Sequence, residues 1–239
     1  MFDLSPRDMY SVLKVFKTSL DNKDIQIYFS DQDLQSIVSE KGWAGEVVQN
    51  KEDYLMVVDA NMAAYKTDAV MTKAINYNVS ESSSAEVLSN LRISYAHNGS
   101  FDWKTTRYRT YTRVYVPKGS ELIRSKGMEE DSVEIYDELG KTVFAYFLSV
   151  EPGAMASVVL DYKLPQNIEN SVKNGEYSLY IQKQAGNNVG ELTVQTKFAK
   201  DILGYTPNGF LATKIDKQNL VWDTKLVSDI IFNLKLNKK

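Results

Sequence analysis

The sequence predicts a mainly β protein: an antiparallel β-sandwich of roughly ten to thirteen strands with a short α-helical N-terminal section. Three observations carry this. From residue 51 onward, apolar and polar residues alternate in short runs. Turn pairs such as Asn98-Gly99, Leu139-Gly140 and Pro152-Gly153 separate those runs. The first fifty residues follow a helical period instead. No strand–helix–strand rhythm appears after residue 50, which argues against a doubly wound sheet, and no internal repeat is visible. The expected organisation is a helical section over residues 1–50 packed on a sandwich over residues 51–239.

Each element has its own signal. Ser5 suits an N-cap, Pro6 the first helical position and Asp8 the positive end of a helix. Met9, Val12, Leu13, Phe16 and Leu20 then follow at helical spacing. Ile25, Ile27 and Phe29 share one parity, as in a short strand. Ser30 or Asp31 caps a second helix whose apolar face is Leu34, Ile37 and Val38, and Gly42 stops it.

The stretch "DYLMVVDAN" opens the β region. Val87, Ser89, Leu91, Ile93 and Tyr95 share one face of a strand. So do Ala156, Val158, Leu160, Tyr162 and Leu164. Tyr177, Leu179 and Ile181 form a third such set, Leu192, Val194 and Phe198 a fourth, and Leu226 with Ile230 to Leu236 a last one. Further turns are expected at Asn188 with Gly190 and at Asn208-Gly209, and "SESSS" reads as a loop or strand end.

Composition limits function without choosing one. A net charge of −3 and a pI near 5.4 argue against a nucleic-acid binder, which carries a basic domain. The absence of cysteine removes disulfides, thiolate metal sites and cysteine nucleophiles. One histidine, His97, leaves no histidine-rich metal site. It sits beside an Asn-Gly turn, reads as an exposed hairpin residue, and has no G-x-S-x-G elbow to serve. "DQD" at 31–33 and "EED" at 129–131 lack the EF-hand spacing and read as a helix cap and a solvated loop. No phosphate-binding glycine loop occurs. No cofactor and no metal is expected. No apolar run approaches a membrane span, and the N-terminus lacks signal-peptide character, so the chain as given is expected to be soluble.

One strand carries a pattern worth testing. In "TTRYRTYTRVYVPKGSEL", an extended chain puts Arg107, Arg109, Tyr111, Arg113 and Tyr115 on one face. Tyr108, Thr110, Thr112, Val114 and Val116 fall on the other, which points to the core. The outward set has two readings. The arginines pair with carboxylates of neighbouring strands while the tyrosines pack across strands. Alternatively, the guanidinium groups form an anion-reading strip with tyrosines stacked on sugar rings.

Five stretches together resemble the C-terminal region of a bacterial family, the domain of unknown function 4012. They are "NKDIQIYFSDQDLQSIVSEKGWAGEV", "DYLMVVDANMAAYKTDAVM", "YTRVYVPKGSEL", "GKTVFAYFLSVEPGAMASVVLDYKLP" and "YSLYIQKQAGN". The resemblance spans about residues 5–200 and implies an extracytoplasmic, cell-envelope location in a membrane-anchored parent protein. It also implies an N-terminal half similar to LytR-CpsA-Psr glycopolymer transferases, which is absent from this chain together with its anchor. Asn61, Lys66 and Asp68 match a family-like pattern and become candidate ligand residues. Turn chemistry accounts for them equally. The family pattern has small residues where Met62, Ala63, Ala64 and Tyr65 stand here, which argues against a tight loop. Lys183 and Gln184 in "IQKQAGN" are open to the same two readings.

The functional expectation is a non-catalytic extracytoplasmic module that binds or positions an anionic cell-wall glycopolymer or an envelope protein partner. Its candidate ligand residues are Arg107, Arg109, Tyr111, Arg113, Tyr115, Asn61, Lys66 and Asp68. The alternatives are an accessory part of a glycopolymer transferase or hydrolase, and a structural or adhesive spacer. Nucleic acid is not an expected partner, and oligomeric state is left open.

Overall fold

The computed structural model describes residues 5–187, 189–207 and 212–238. The expected turns at Asn188–Gly190 and Asn208–Gly209 involve residues outside that set. Two helices lead, α1 (Pro6–Asp21) and α2 (Gln32–Glu40). Then come β1 (Asp53–Asn61), β2 (Met71–Glu81), β3 (Val87–His97), β4 (Tyr108–Pro117), β5 (Glu121–Lys126), β6 (Glu134–Glu138), β7 (Lys141–Val150) and β8 (Met155–Lys163). A third helix, α3 (Gln166–Lys173), precedes β9 (Glu176–Gln182), β10 (Val189–Lys197), β11 (Ile202–Thr206), β12 (Ala212–Lys214), β13 (Asn219–Leu226) and β14 (Ile230–Leu236).

The strands form two seven-stranded sheets, ordered β11-β14-β9-β1-β4-β7-β6 and β12-β13-β10-β2-β3-β8-β5. The sandwich is mixed, not purely antiparallel. β1 runs parallel to β9, and β2 runs parallel to β10. A half-buried strand alternates in the same way whichever direction its neighbour runs, so periodicity does not report orientation. The two sheets share one plan: a parallel pair at the centre and antiparallel strands on both sides.

Fourteen strands among the described residues exceed the expected ten to thirteen, because short edge strands such as β6 and β12 carry too few alternations to read. Ile25, Ile27 and Phe29 form no strand; the segment is an extended loop fastened by Ile27 N–H to the Trp43 carbonyl. Helix α3 was not anticipated. Its eight residues bury only Ile168, Glu169 and Val172, too short a pattern to stand out.

The inward faces match the alternation in the sequence. Tyr108, Thr110, Thr112, Val114 and Val116 are all buried, as are Val87, Leu91, Ile93 and Tyr95. A smaller cluster lies outside the first sheet. There Tyr54, Tyr115, Val143 and Ala145 are covered by the segment around Val47 and Val48.

The helix caps form as expected. Ser5 and Asp8 make a reciprocal capping box, Asp31 caps α2, and Gly42 leaves α2 at φ +73°. The packing of the helical section is looser than expected. Met9, Val12, Leu13 and Phe16 are exposed, and only Leu20 of α1 is buried. The helix is moored at its C-terminal end. Lys23 Nζ meets Asp229 Oδ2 at 2.7 Å, and Lys183 Nζ donates to the Asn22 carbonyl at 2.7 Å. Gly186 N–H donates to the Lys23 carbonyl.

Candidate functional site

Strand β1 puts Asp53, Leu55, Val57 and Asp59 on its core face. Two aspartates are thus buried at opposite ends of the sandwich. A buried carboxylate demands donors, and tyrosines from both sheets supply them.

Asp53 accepts from Tyr177 at 2.6 Å, from Tyr77 at 2.9 Å and from the Tyr54 backbone N–H at 2.7 Å. Tyr162 donates to Tyr77 behind it. Burial outweighs these donors and pushes the Asp53 carboxyl up to about 6. Nearby, burial lowers the Lys141 ammonium to about 8; its Nζ lies 3.9 Å from the Tyr54 ring centroid and donates to Asn50. Asp53 and its tyrosine donors are all buried, although Tyr177 also borders a separate cavity of about 370 Å³ lined by Lys51, Glu52, Glu176 and Asn233.

The Asp59 end is open. The connections following β1, β3, β7 and β9 meet there. Asp59 Oδ2 pairs with Lys73 Nζ at 2.9 Å, and Oδ1 accepts from Tyr95 and Thr112, each at 2.8 Å. Gln184 bridges the Asp59 backbone like one more strand residue: its Oε1 accepts from Asp59 N–H and its Nε2 donates to Asp59 O. Above these groups lies a cavity of about 410 Å³, lined by Asp59, Asp68, Met71, Lys73, Tyr95, Tyr108 and the loop Gln184–Asn187. That volume is within the range of small-ligand sites. Burial and the Asp59 charge hold the Tyr95 hydroxyl well above its ordinary pKa; burial, Asp59 and Asp68 do the same for Tyr108. Both phenols are therefore neutral hydrogen-bonding groups at any ordinary pH.

The candidate residues from the sequence divide between two places. Asn61 and Asp68 come together at the cavity mouth, where Asn61 Nδ2 donates to Asp68 Oδ2 at 2.8 Å. Asn61 also holds its own loop, through the Ala63 N–H and the Ala64 carbonyl. Ala64 and Tyr65 both sit at φ 60°, so the loop is tight without a glycine, contrary to expectation. Lys66 joins this loop to the next through its N–H and the Lys104 carbonyl; its side chain is exposed and does not line the cavity. Around it the two loops expose Met62, Tyr65, Phe101 and Trp103.

The arginine strip lies elsewhere, on the outer face of the first sheet, and it is not a free row of cations. All five residues engage glutamates. Arg107 pairs with Glu151, Arg109 with Glu129 at 2.9 Å, and Arg113 with Glu138 at 3.7 Å. Tyr111 donates to Glu134 and Tyr115 to Glu138. Tyr115 is buried in the outer cluster, not presented to solvent. Two of the glutamates come from the edge strand β6, whose hairpin with β7 sets them two strands from β4. Cross-strand pairing is thus the arrangement that forms. Glu129 of "EED" belongs to it and does not sit in a merely solvated loop.

His97 is buried, not exposed. Its Nε2 lies 2.8 Å from the Thr106 carbonyl and its Nδ1 accepts from Gly99 N–H, so it braces the loop before β4. Lys183 is fully buried and serves to moor α1; burial lowers its pKa. Of "IQKQAGN", only Gln184 and the residues just after it reach the cavity.

Lys73, Asp59, Tyr95 and Tyr108 were not singled out from the sequence. A signal existed for the first two: each is a charged residue at the core parity of an apolar strand. Such a position requires a buried partner.

No family model matches the chain, and no curated protein matches it. Solved structures resemble it in fold. A candidate nutrient-binding protein from Legionella pneumophila superposes with a TM-score of 0.48 at 9% identity, covering 77% of this chain and 71% of the other. Leukotriene A4 hydrolase from Saccharomyces cerevisiae gives 0.43 at 6% identity, covering 74% of this chain and 31% of the hydrolase. The folded domain of LppM from Mycobacterium tuberculosis gives 0.30 at 12% identity, covering 70% and 90%. At these scores the likenesses carry no argument about function. Among the described residues, no helix is long and apolar enough to cross a membrane.

Proposed function

We propose that the chain is a non-catalytic binding module of the bacterial cell envelope, and that its ligand is a segment of cell-wall glycan held at the open end of the sandwich. One observation carries the reading: a polar cavity between the sheets, with neutral phenols, carboxylates and an amide-bearing loop around it, and exposed aromatic side chains on adjoining loops. Sugar hydroxyls suit such donors and acceptors, and pyranose faces suit exposed aromatic rings. The Asp59 carboxylate is tied to Lys73, Tyr95 and Thr112, which suits holding a ligand better than attacking one. The arginine strip does not support an anionic ligand, because its cations are already paired.

The test is co-sedimentation with isolated bacterial cell-wall glycan, using the wild-type chain, Trp103→Ala with Tyr65→Ala, and an Arg107→Ser, Arg109→Ser, Arg113→Ser triple variant. The expected result is binding that the aromatic variant weakens and the arginine variant retains. Loss of binding in the arginine variant alone would return the site to β4.

A second reading, attachment to a protein partner through α1, is favoured by the exposed stripe Met9, Val12, Leu13 and Phe16. A Leu13→Asp, Phe16→Asp variant that pulls down the same envelope proteins as the wild type would remove it.

A further inference from the structure

The cavity at the open end has a charge and ring arrangement that selects one kind of ligand group. Among its lining residues the charges are Asp59, Asp68 and Lys73. Lys73 is committed to Asp59. Asp68 makes no ion pair among the described residues; it accepts from the Asn61 amide, and the neutral Tyr108 hydroxyl is its other hydrogen-bonding neighbour. Behind the Gln184–Asn187 loop, Lys23 is paired with Asp229, and Lys183 is directed away to the Asn22 carbonyl with Asp24 and Asp229 beside it. The buried cations there are balanced, so the cavity keeps the surplus of one carboxylate.

Two tyrosines complete the arrangement. The rings of Tyr95 and Tyr108 lie 6.4 Å apart at 35° and both border the cavity between Asp59 and Asp68. Aromatic rings next to carboxylates attract a cation through the ring quadrupole as well as through charge.

We infer that the cavity recognises an ammonium group, and that the glycan bound by this module carries free amines rather than acetylated or acidic sugars. This rests on the glycan reading above and adds the charge of the ligand to it. Asp68 supplies the carboxylate, and Tyr95 with Tyr108 supplies the aromatic wall. Lys73 keeps Asp59 neutralised, so that the floor does not draw in small cations of its own.

The experiment titrates the full chain by calorimetry near neutral pH with four probes of matched length: a glucosamine oligomer, an N-acetylglucosamine oligomer, a galacturonate oligomer and an oligolysine peptide. Asp68→Asn is run beside the wild type; it keeps an oxygen to accept the Asn61 bond and so preserves the loop. The expected result is binding of the glucosamine oligomer about tenfold or more tighter than the acetylated one, with the difference abolished in Asp68→Asn. Equal binding of the two sugars, or preference for the acidic one, overturns the ammonium assignment and leaves the glycan reading standing. Oligolysine binding as tightly as the glucosamine oligomer overturns the assignment to a glycan. Failure of every sugar to bind overturns both readings.

Discussion

Replacing Asp53 by asparagine removes the one carboxylate whose ionisation the fold opposes most plainly. Its pKa stands at about 6 in the folded chain against 3.8 as the ordinary value. Between those values the folded state holds a proton that the unfolded state has released. Stability therefore falls as pH rises through that window, by linkage. Taking the two values at face value, the wild type is about 2 kcal/mol less stable at about pH 7.5 than at about pH 4.5. With an unfolding entropy of about 0.5 kcal/mol per kelvin for a chain of this size, that is about 4 °C in melting temperature. Carboxyls with lowered pKa values, such as Glu129, act in the opposite direction at lower pH. The informative quantity is thus the difference between wild type and Asp53→Asn at each pH. Calorimetric melting of both proteins across this range is the assay. The asparagine variant should gain on the wild type as pH rises, by about the same 4 °C. A constant offset at all pH values would refute the reasoning, because it would show that Asp53 folds ionised.

Other expectations follow from the same contacts. Lys73→Met leaves Asp59 buried without its cation and should destabilise by about 3–5 kcal/mol in denaturant titration; adding Asp59→Asn should recover most of that loss. The Arg107, Arg109 and Arg113 triple serine variant should move the melting temperature by no more than about 2 °C, since partly exposed ion pairs contribute little. Asn61→Ala removes the bonds holding a loop with two left-handed residues. It should raise hydrogen exchange at Ala63 and Lys66 while leaving the core strands protected.

The β-rich class, the helical start and the inward faces were legible because burial on one side imposes alternation. Val87 to Tyr95 and Tyr108 to Val116 show this directly. Strand direction was not legible, since β1 beside β9 and β1 beside β4 bury the same parity. The site was half legible. Asp68 lines the cavity and Asn61 bonds to it, because the turn after β1 brings the two together. The arginine strip drew attention because its cations are seen in one line of sequence. The glutamates that answer them lie 20 to 44 residues away, and only the folded register brings them across. The exposed position expected of His97 failed for a related reason: the loop that covers it follows it in the chain.

The parallel pairs at the centre of each sheet bear on how the chain comes to be folded. Residues 53–56 wait for residues 179–182, and residues 74–80 wait for residues 191–197. The β9 strand then needs β14, which lies at the end of the described chain, to cover its other edge. Hairpins such as β2–β3 and β6–β7 can form as they are made, but β1 lacks its second neighbour until residue 182 is made and β2 until residue 197. Folding is therefore expected to be slow and to occur as a single late event after synthesis. Until then the open edges of β1 and β2 need protection, so the topology itself calls for chaperone cover during synthesis.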